Sequence, residues 1–444
     1  MKKIANWGNY PHINADESHF SSIEALRNQV LNKRISYIPR GNGRCYGDAS
    51  LAENVLSSLS FDHIISFDSI RGVFECESGV ILDQILNIIV PKGWFLPVTP
   101  GTKYITVGGA VASDIHGKNH HVDGSFCDHV LEITLMLATG EVVSCSHTYN
   151  RELFDATRGG MGLTGIILSI KFELKKIKTS FIRQVQLKAK NLGELLELFH
   201  NYKDYTYTMS WIDCLKKGKN FGRSILMAGE HAELDELNEK QKKNSLTPYS
   251  DTLFTFPVNL PSFVLNQYSV KAFNFLYYQK NLKKTINNII PYDPFFYPLD
   301  KILDWNKGYG KNGFLQYQFV IPMESCEKGM RDILTRINQK GMGSFLAVFK
   351  VFGKQNGLIS FPMEGCTLAL DFPVNKKLFP FLDELDKVVL NYGGRLYLTK
   401  DARMKQEIFW NSYPNAKLFK DLIKKYNPDF RFRSVQSDRL GITS

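Results

Sequence analysis

The nonapeptide Arg40-Gly41-Asn42-Gly43-Arg44-Cys45-Tyr46-Gly47-Asp48 decides how the rest of the chain is read. It leaves an apolar run, Ile35 to Pro39, of strand length and composition. Glycine lacks a Cβ, so Gly41, Gly43 and Gly47 let the backbone come close to a ligand, and successive N–H groups can converge on phosphate oxygens. A plain connecting turn uses the same residue types, so the loop alone leaves both readings open.

Two further small-residue clusters weigh on that choice. Gly160-Met161-Gly162-Leu163-Thr164-Gly165 spells G-x-G-x-x-G, yet it follows a helix pattern (Arg151 to Arg158) and opens a strand pattern (Ile166 to Leu174). A dinucleotide fingerprint does the reverse, leaving a strand and opening a helix. There is no G-x-x-x-x-G-K-[ST] phosphate loop. The stretch from Pro100 and Gly101 through Thr106-Val107-Gly108-Gly109 to His121 is too rich in small residues for an ordinary core element. It suggests backbone packed against something flat and large. Among its histidines, Gly117 and Asn119 disfavour one helical face shared by His116, His120 and His121, and no carboxylate cluster completes a metal site. His120 and His121 read as structural hydrogen-bonding groups; His116 is placed against a cofactor, with no metal.

Composition bounds the alternatives. The 444 residues are 43% apolar and 22% charged, which excludes wholesale disorder and favours two domains. The 55 Lys+Arg exceed the 44 Asp+Glu by 11. That balance fits a protein of moderately high pI, or affinity for an anionic surface or substrate. The lysines are dispersed and form no basic helix, so nucleic acid is not an expected partner. No signal-peptide-like run and no membrane-spanning apolar stretch is seen. The seven cysteines are odd in number and scattered, which argues against a disulfide framework and for a reducing cytoplasm. Expected elements include a strand at Val73 to Glu77, a helix at Val80 to Val90, a hairpin at Leu131 to Cys145, helices at Glu194 to Asn201 and Met330 to Lys340, and strands at Gly313 to Val320 and Ser344 to Phe352. Glu233 to Lys280 reads as a long excursion outside the core.

Taken together, the Arg40–Asp48 loop, Thr106-Val107-Gly108-Gly109-Ala110, Asp114-Ile115-His116-Gly117-Lys118-Asn119-His120-His121, Gly162 to Ile167, Gly313 to Pro322 and Gly393 to Asp401 resemble the FAD-dependent oxidoreductases of the vanillyl-alcohol-oxidase type. The D-I-H-G-K-N-H-H and F-L-Q-Y-Q-F strings narrow this to the branch that acts on polyprenyl-phospho-pentoses. The resemblance spans nearly the whole chain. It implies an α+β fold: an FAD-binding domain of two subdomains (the PCMH type) at 1–178, an inserted substrate domain with an antiparallel sheet at 179–394, and a return to the first domain at 395–444.

By the same resemblance Arg40 to Asp48 wrap the cofactor's pyrophosphate, Gly101 and Thr106 to Gly109 its central region, and Ser113, Asp114, Ile115, His116, Ile167 and Tyr397 its flavin. FAD is expected to be held non-covalently, although some relatives bond it to the histidine equivalent to His116. Read from the residues alone, Lys400 is a surface lysine paired with Asp401; by the resemblance it is expected instead at the end of a strand, beside the flavin, as the catalytic proton acceptor or alkoxide stabiliser. Tyr46 and Gln318 join it as catalytic candidates. Gln316 and Gln318 lie two apart and share a strand face; with Tyr309, Lys118 and Lys350 they are the substrate-binding candidates. Some relatives carry a cysteine, open to covalent inhibitors, where this chain has Ala369, two residues before Asp371-Phe372-Pro373.

The implied reaction is oxidation of the 2′-hydroxyl of a polyprenylphosphoryl pentose to the 2′-keto sugar, the first half of an epimerisation in cell-envelope polysaccharide synthesis. A separate NAD(P)H-dependent short-chain reductase would complete it. Location would be cytoplasmic, with peripheral contact at the inner face of the membrane. The apolar stretch 252–278 reads as a membrane-facing lid or as a buried irregular segment. An aldonolactone-type oxidase of a soluble sugar, and a non-redox basic protein that binds lipid or nucleic acid, stand as alternatives.

Overall fold

The computed structural model describes residues 1–444 except 21, 33, 250–252 and 262–263. Two small sheets come from the first part of the chain. In one, Ile13–His19, Asn54–Ser57 and Ile38–Arg40 run parallel, with Lys2–Ile4 antiparallel at the edge. The other is antiparallel, in the order Ile64–Asp68, Val73–Glu77, Ile166–Glu173, Val130–Met136, Val142–Cys145. Helix Leu82–Ile89 shares the core of the second sheet. Its buried Leu82, Ile85, Leu86 and Ile89 fall at i, i+3, i+4 and i+7. Pro91 and a left-handed Gly93 end it.

The largest sheet has eight antiparallel strands in the order Thr285–Pro291, Phe181–Ala189, Ser224–His231, Tyr207–Ile212, Ala347–Phe352, Gly365–Pro373, Phe314–Pro322, Arg395–Leu396. Strand periodicity divides Phe314–Pro322 cleanly: Leu315, Tyr317, Phe319 and Ile321 enter a core shared with Ile38, Leu51 and Val55 of the first sheet, while Gln316 and Gln318 face the other way. Each such fully buried apolar side chain contributes about 1.5–3 kcal/mol. After Leu396 the chain goes back to the N-terminal sheets. Tyr37 bridges Phe432, and Val435 N–H donates to Leu51 O at 2.8 Å. Lys425 pairs with Glu152 on helix Arg151–Thr157.

Three expectations need correction. Cys326 and Cys366 form a disulfide, because the start of helix Cys326–Lys340 packs on strand Gly365–Pro373, a proximity invisible in their spacing. Lys400 does not end a strand: it lies in a single 3-10 turn, Leu398–Lys400, where the chain turns away from the sheet edge. Within 252–278 the described residues are mostly exposed or half-buried rather than buried, and they are irregular only before Gln267, apart from the short strand Phe254–Thr255. Gln267–Lys280 is a helix, capped by Asn266, that buries only Val270 and Asn274 and leaves Tyr268, Phe275 and Leu276 exposed. Asn274 anchors it by donating to Asp213 at 2.8 Å. Residues 252, 262 and 263 of the stretch lie outside the described ones. No helix among the described residues is long and apolar enough to cross a membrane.

Candidate active site

A cavity of about 490 Å³ lies between the N-terminal sheets and the largest sheet. Strand Ile38–Arg40 delivers the glycine loop to one end of it. Among the described residues, the backbone N–H groups of Gly41, Asn42, Gly43, Arg44 and Cys45 donate to no protein acceptor. Five successive free donors form a cradle for an anion. Gly41 is packed so closely that a Cβ would lie 2.2 Å from Thr106 Oγ1, and Gly43 adopts φ +59° with its missing Cβ 2.2 Å from Arg40 Nη2. The loop is fixed from outside: Asn42 donates to Tyr104 O at 2.8 Å, Arg40 to Ala5 O at 3.0 Å, and the Arg44 guanidinium lies 4.1 Å from the centre of the Trp7 ring. Thr106 caps helix Val107–Ala112 by accepting from Gly109 N–H, and the small residues Gly108 and Gly109 continue the wall.

At the other end stand Ser113, Ile115, His116, Ile167 and Tyr397, facing Gln316, Gln318, Val348, Lys350 and Ala369 of the largest sheet. Tyr397 O–H donates to Ser113 O at 3.2 Å. Gln318 donates to Nε2 of His116 at 3.1 Å, so the proton of this imidazole sits on Nδ1. That Nδ1 is buried and has no protein partner. Burial, with Lys350 nearby, holds His116 well below the usual histidine range, so the ring is neutral. A chain of free N–H donors, a wall of small residues and an unpartnered imidazole donor in one cavity fit a dinucleotide-sized flavin cofactor.

Two lysines of the wall are shifted towards neutrality. Burial pushes Lys400 down to about 7, opposed by the charge of Asp371. Its ammonium lies 3.7 Å from the centre of the Tyr46 ring. Burial also pushes Lys350 down to about 8; its Nζ faces Gly117 O at 3.4 Å. A lysine that titrates near neutrality is suited to take a proton from a hydroxyl.

Six of the residues expected at the site lie behind this wall instead. Gly47 packs on the backbone of Asp401, and Asp48 is paired with Arg439 at 2.8 Å. Val107 is in the apolar core. Asp114 is fully buried in an ion pair with Arg158 at 2.9 Å and accepts from the Ser125 hydroxyl and from Cys127 N–H. Burial would raise its carboxyl, but Arg158 and these bonds keep it below the usual range. Lys118 donates to Phe296 O at 3.2 Å, and Tyr309 stacks on Phe314 and Phe345 with its hydroxyl 3.3 Å from Asp371. These residues brace the cavity, because each finds its partner in protein rather than in the open space. His120 and His121 bond Gln355 and Tyr205 O. Asp371 is a buried carboxylate beside the site that the motifs do not single out. A carboxylate between Leu370 and Phe372 of an apolar strand is the signal that could have found it.

Comparison with known proteins agrees with this geometry. Residues 21–146 match the FAD binding domain family. The chain is 38% identical to decaprenylphosphoryl-beta-D-ribose oxidase of Mycolicibacterium smegmatis, over 99% of this chain and 98% of that one. It is 28% identical to L-gulonolactone oxidase of Scyliorhinus torazame, over 34% of this chain and 36% of that one. Among solved structures, BBE-like 1 of Physcomitrella patens superposes with a TM-score of 0.65, covering 94% of this chain and 89% of that one at 15% identity, which shows the shared fold. The two-subdomain FAD-binding architecture with an inserted antiparallel sheet is that fold. Likeness this extensive makes the chain an FAD-dependent oxidoreductase, a member of the family that includes decaprenylphosphoryl-beta-D-ribose oxidase.

Proposed function

We propose that this protein oxidises the 2′-hydroxyl of a polyprenylphosphoryl ribose to the 2′-ketone, the first half of an epimerisation that serves cell-envelope polysaccharide synthesis. The reading is carried by a lysine titrating near 7, Lys400, on the wall of a cavity built for a flavin, in a chain that matches the mycobacterial oxidase from end to end. Bound FAD supplies the acceptor for the hydride that leaves the sugar carbon. Lys400 takes the hydroxyl proton as the carbon–oxygen double bond forms. Tyr46 holds the lysine in place through its ring face, and Gln316, Gln318 and Lys350 orient the sugar and its charged substituents. The N–H groups from Gly41 to Cys45 face the cofactor's phosphates, and Thr106 to Gly109 follow its central part. Ser113, Ile115, His116, Ile167 and Tyr397 line the ring, which is held without a covalent bond.

The product is a ketone, so a separate NAD(P)H-dependent reductase completes the epimerisation. We place the protein in the cytoplasm, touching the inner face of the membrane through the exposed apolar residues of Gln267–Lys280, since its substrate carries a polyprenyl chain. The test is anaerobic bleaching of the bound flavin. Polyprenylphosphoryl ribose should bleach it and free aldonolactones should not; bleaching by the lactones alone would reverse the assignment. Lys400→Met should keep its FAD and lose about 10²–10⁴-fold in the bleaching rate.

A further inference from the structure

Asp371 lies outside the cavity wall, yet it holds Gln316, which lines the cavity. It stands in register with Gln316 across paired strands. Gln316 Nε2 donates to its Oδ1 at 2.8 Å, the Tyr309 hydroxyl donates to its Oδ2 at 3.3 Å, and its own N–H donates to Ser344 Oγ at 3.0 Å. It is 2% exposed. Several other buried carboxylates are paired directly with a cation, Asp114 with Arg158, Asp48 with Arg439, Asp213 with Arg223 and Asp293 with Lys103, while Asp300 accepts from the Lys103 N–H. Asp371 has an amide and a phenol instead. A buried carboxylate held this way is costly, and an asparagine would bridge the two strands equally well.

The charge has two consequences that an asparagine would lack. An ionised carboxylate only accepts, so Gln316 must turn its NH₂ towards Asp371 and present its carbonyl oxygen elsewhere. Gln316 itself lines the cavity. Lys400, its ammonium over the Tyr46 ring, lines the same cavity as Gln316, and the negative charge of Asp371 opposes the burial that lowers its amine. We propose that Asp371 is a positioning residue of the reaction: it fixes the Gln316 amide with its carbonyl oxygen towards the substrate, and it supplies the counter-charge that lets buried Lys400 hold a proton. Burial raises the Asp371 carboxyl, and the bond from Gln316 and the charge of Lys400 act against it, favouring the ionised form on which both roles depend.

This inference rests on the reading of Lys400 as proton acceptor, and the experiment separates the two. The pH dependence of anaerobic flavin bleaching by polyprenylphosphoryl ribose is measured for the FAD-loaded wild type, Asp371→Asn, Tyr309→Phe and Lys400→Met. Loss of the counter-charge favours neutral Lys400, so in Asp371→Asn the limb belonging to Lys400 should move to lower pH by roughly one unit, with FAD content unchanged. Tyr309→Phe, which removes one donor to the carboxylate, should shift the limb less, in the same direction. An unmoved limb in flavin-loaded Asp371→Asn overturns the role of Asp371; should that variant fail to fold, an unmoved limb in Tyr309→Phe does so. If Lys400→Met bleaches with the wild-type rate and limb, the reading of Lys400 fails instead.

Discussion

Gln318 donates to Nε2 of His116 at 3.1 Å, joining two residues 202 positions apart across the cavity. The bond occupies one ring nitrogen and leaves the proton on the other, so neither lone pair is free to attack a flavin. Acid precipitation should therefore release the yellow colour into the supernatant. Colour that stays in the pellet would show a covalent link.

Gly43 holds φ +59°, and a Cβ there would lie 2.2 Å from Arg40 Nη2. Gly43→Ala must distort the loop that presents the free N–H groups, at a cost of about 1–3 kcal/mol. The ratio of flavin absorbance to protein absorbance in the purified variant should fall well below the wild-type value, while the circular dichroism of the fold is retained. Normal flavin content would separate this loop from the cofactor.

Lys118 is fully enclosed, and burial, with Lys350 nearby, pushes it down to about 7 from its ordinary 10.5. Below pH 7 the folded protein must carry the buried charge, so the penalty is complete there. Between 7 and 10.5 the unfolded chain binds the proton that the folded one has lost, and folding stability gains up to about 1.4 kcal/mol per pH unit from this group. Lys118→Met removes the penalty. Its stability advantage over wild type, read from denaturant midpoints, should be largest at or below pH 7 and shrink towards pH 10. An advantage that grows with pH would contradict the sign.

The Cys326–Cys366 bond closes a loop with a sequence separation of 40. A chain-entropy treatment gives about 4 kcal/mol of stabilisation for a loop of that size. Five of the seven cysteines are free. The denatured, unreduced protein should thus titrate five thiols, rising to seven after reduction, and reduction should lower the thermal midpoint. Ala369 on the cavity wall offers no thiol, so a cavity-directed electrophile should leave no adduct on the peptide containing it. Seven thiols before reduction would mean that the bond does not form.

The local elements were legible because their signals are local. Val73–Glu77 coincides with its alternating pattern, Leu82–Ile89 with its apolar stripe and Pro-Gly stop, and Ile166–Glu173 with the isoleucine run after the misleading G-x-G-x-x-G. The small-residue segments were readable for the same reason: a missing Cβ is a property of one residue, whatever it faces.

By itself, then, the order of residues determined the most clearly patterned strands and helices and the stretches whose backbone can approach a large flat ligand, and left most of the largest sheet unread. Only the tertiary structure decided which charges face the cavity and which brace it. Asp48 looks like part of the glycine loop until Arg439, 391 residues away, takes its carboxylate; Asp371 looks like a strand residue until Gln316 and Tyr309 meet on it. A carboxylate or an ammonium acquires its role from the partner that desolvates or neutralises it. That partner is chosen by how distant strands pack, which no local spacing records.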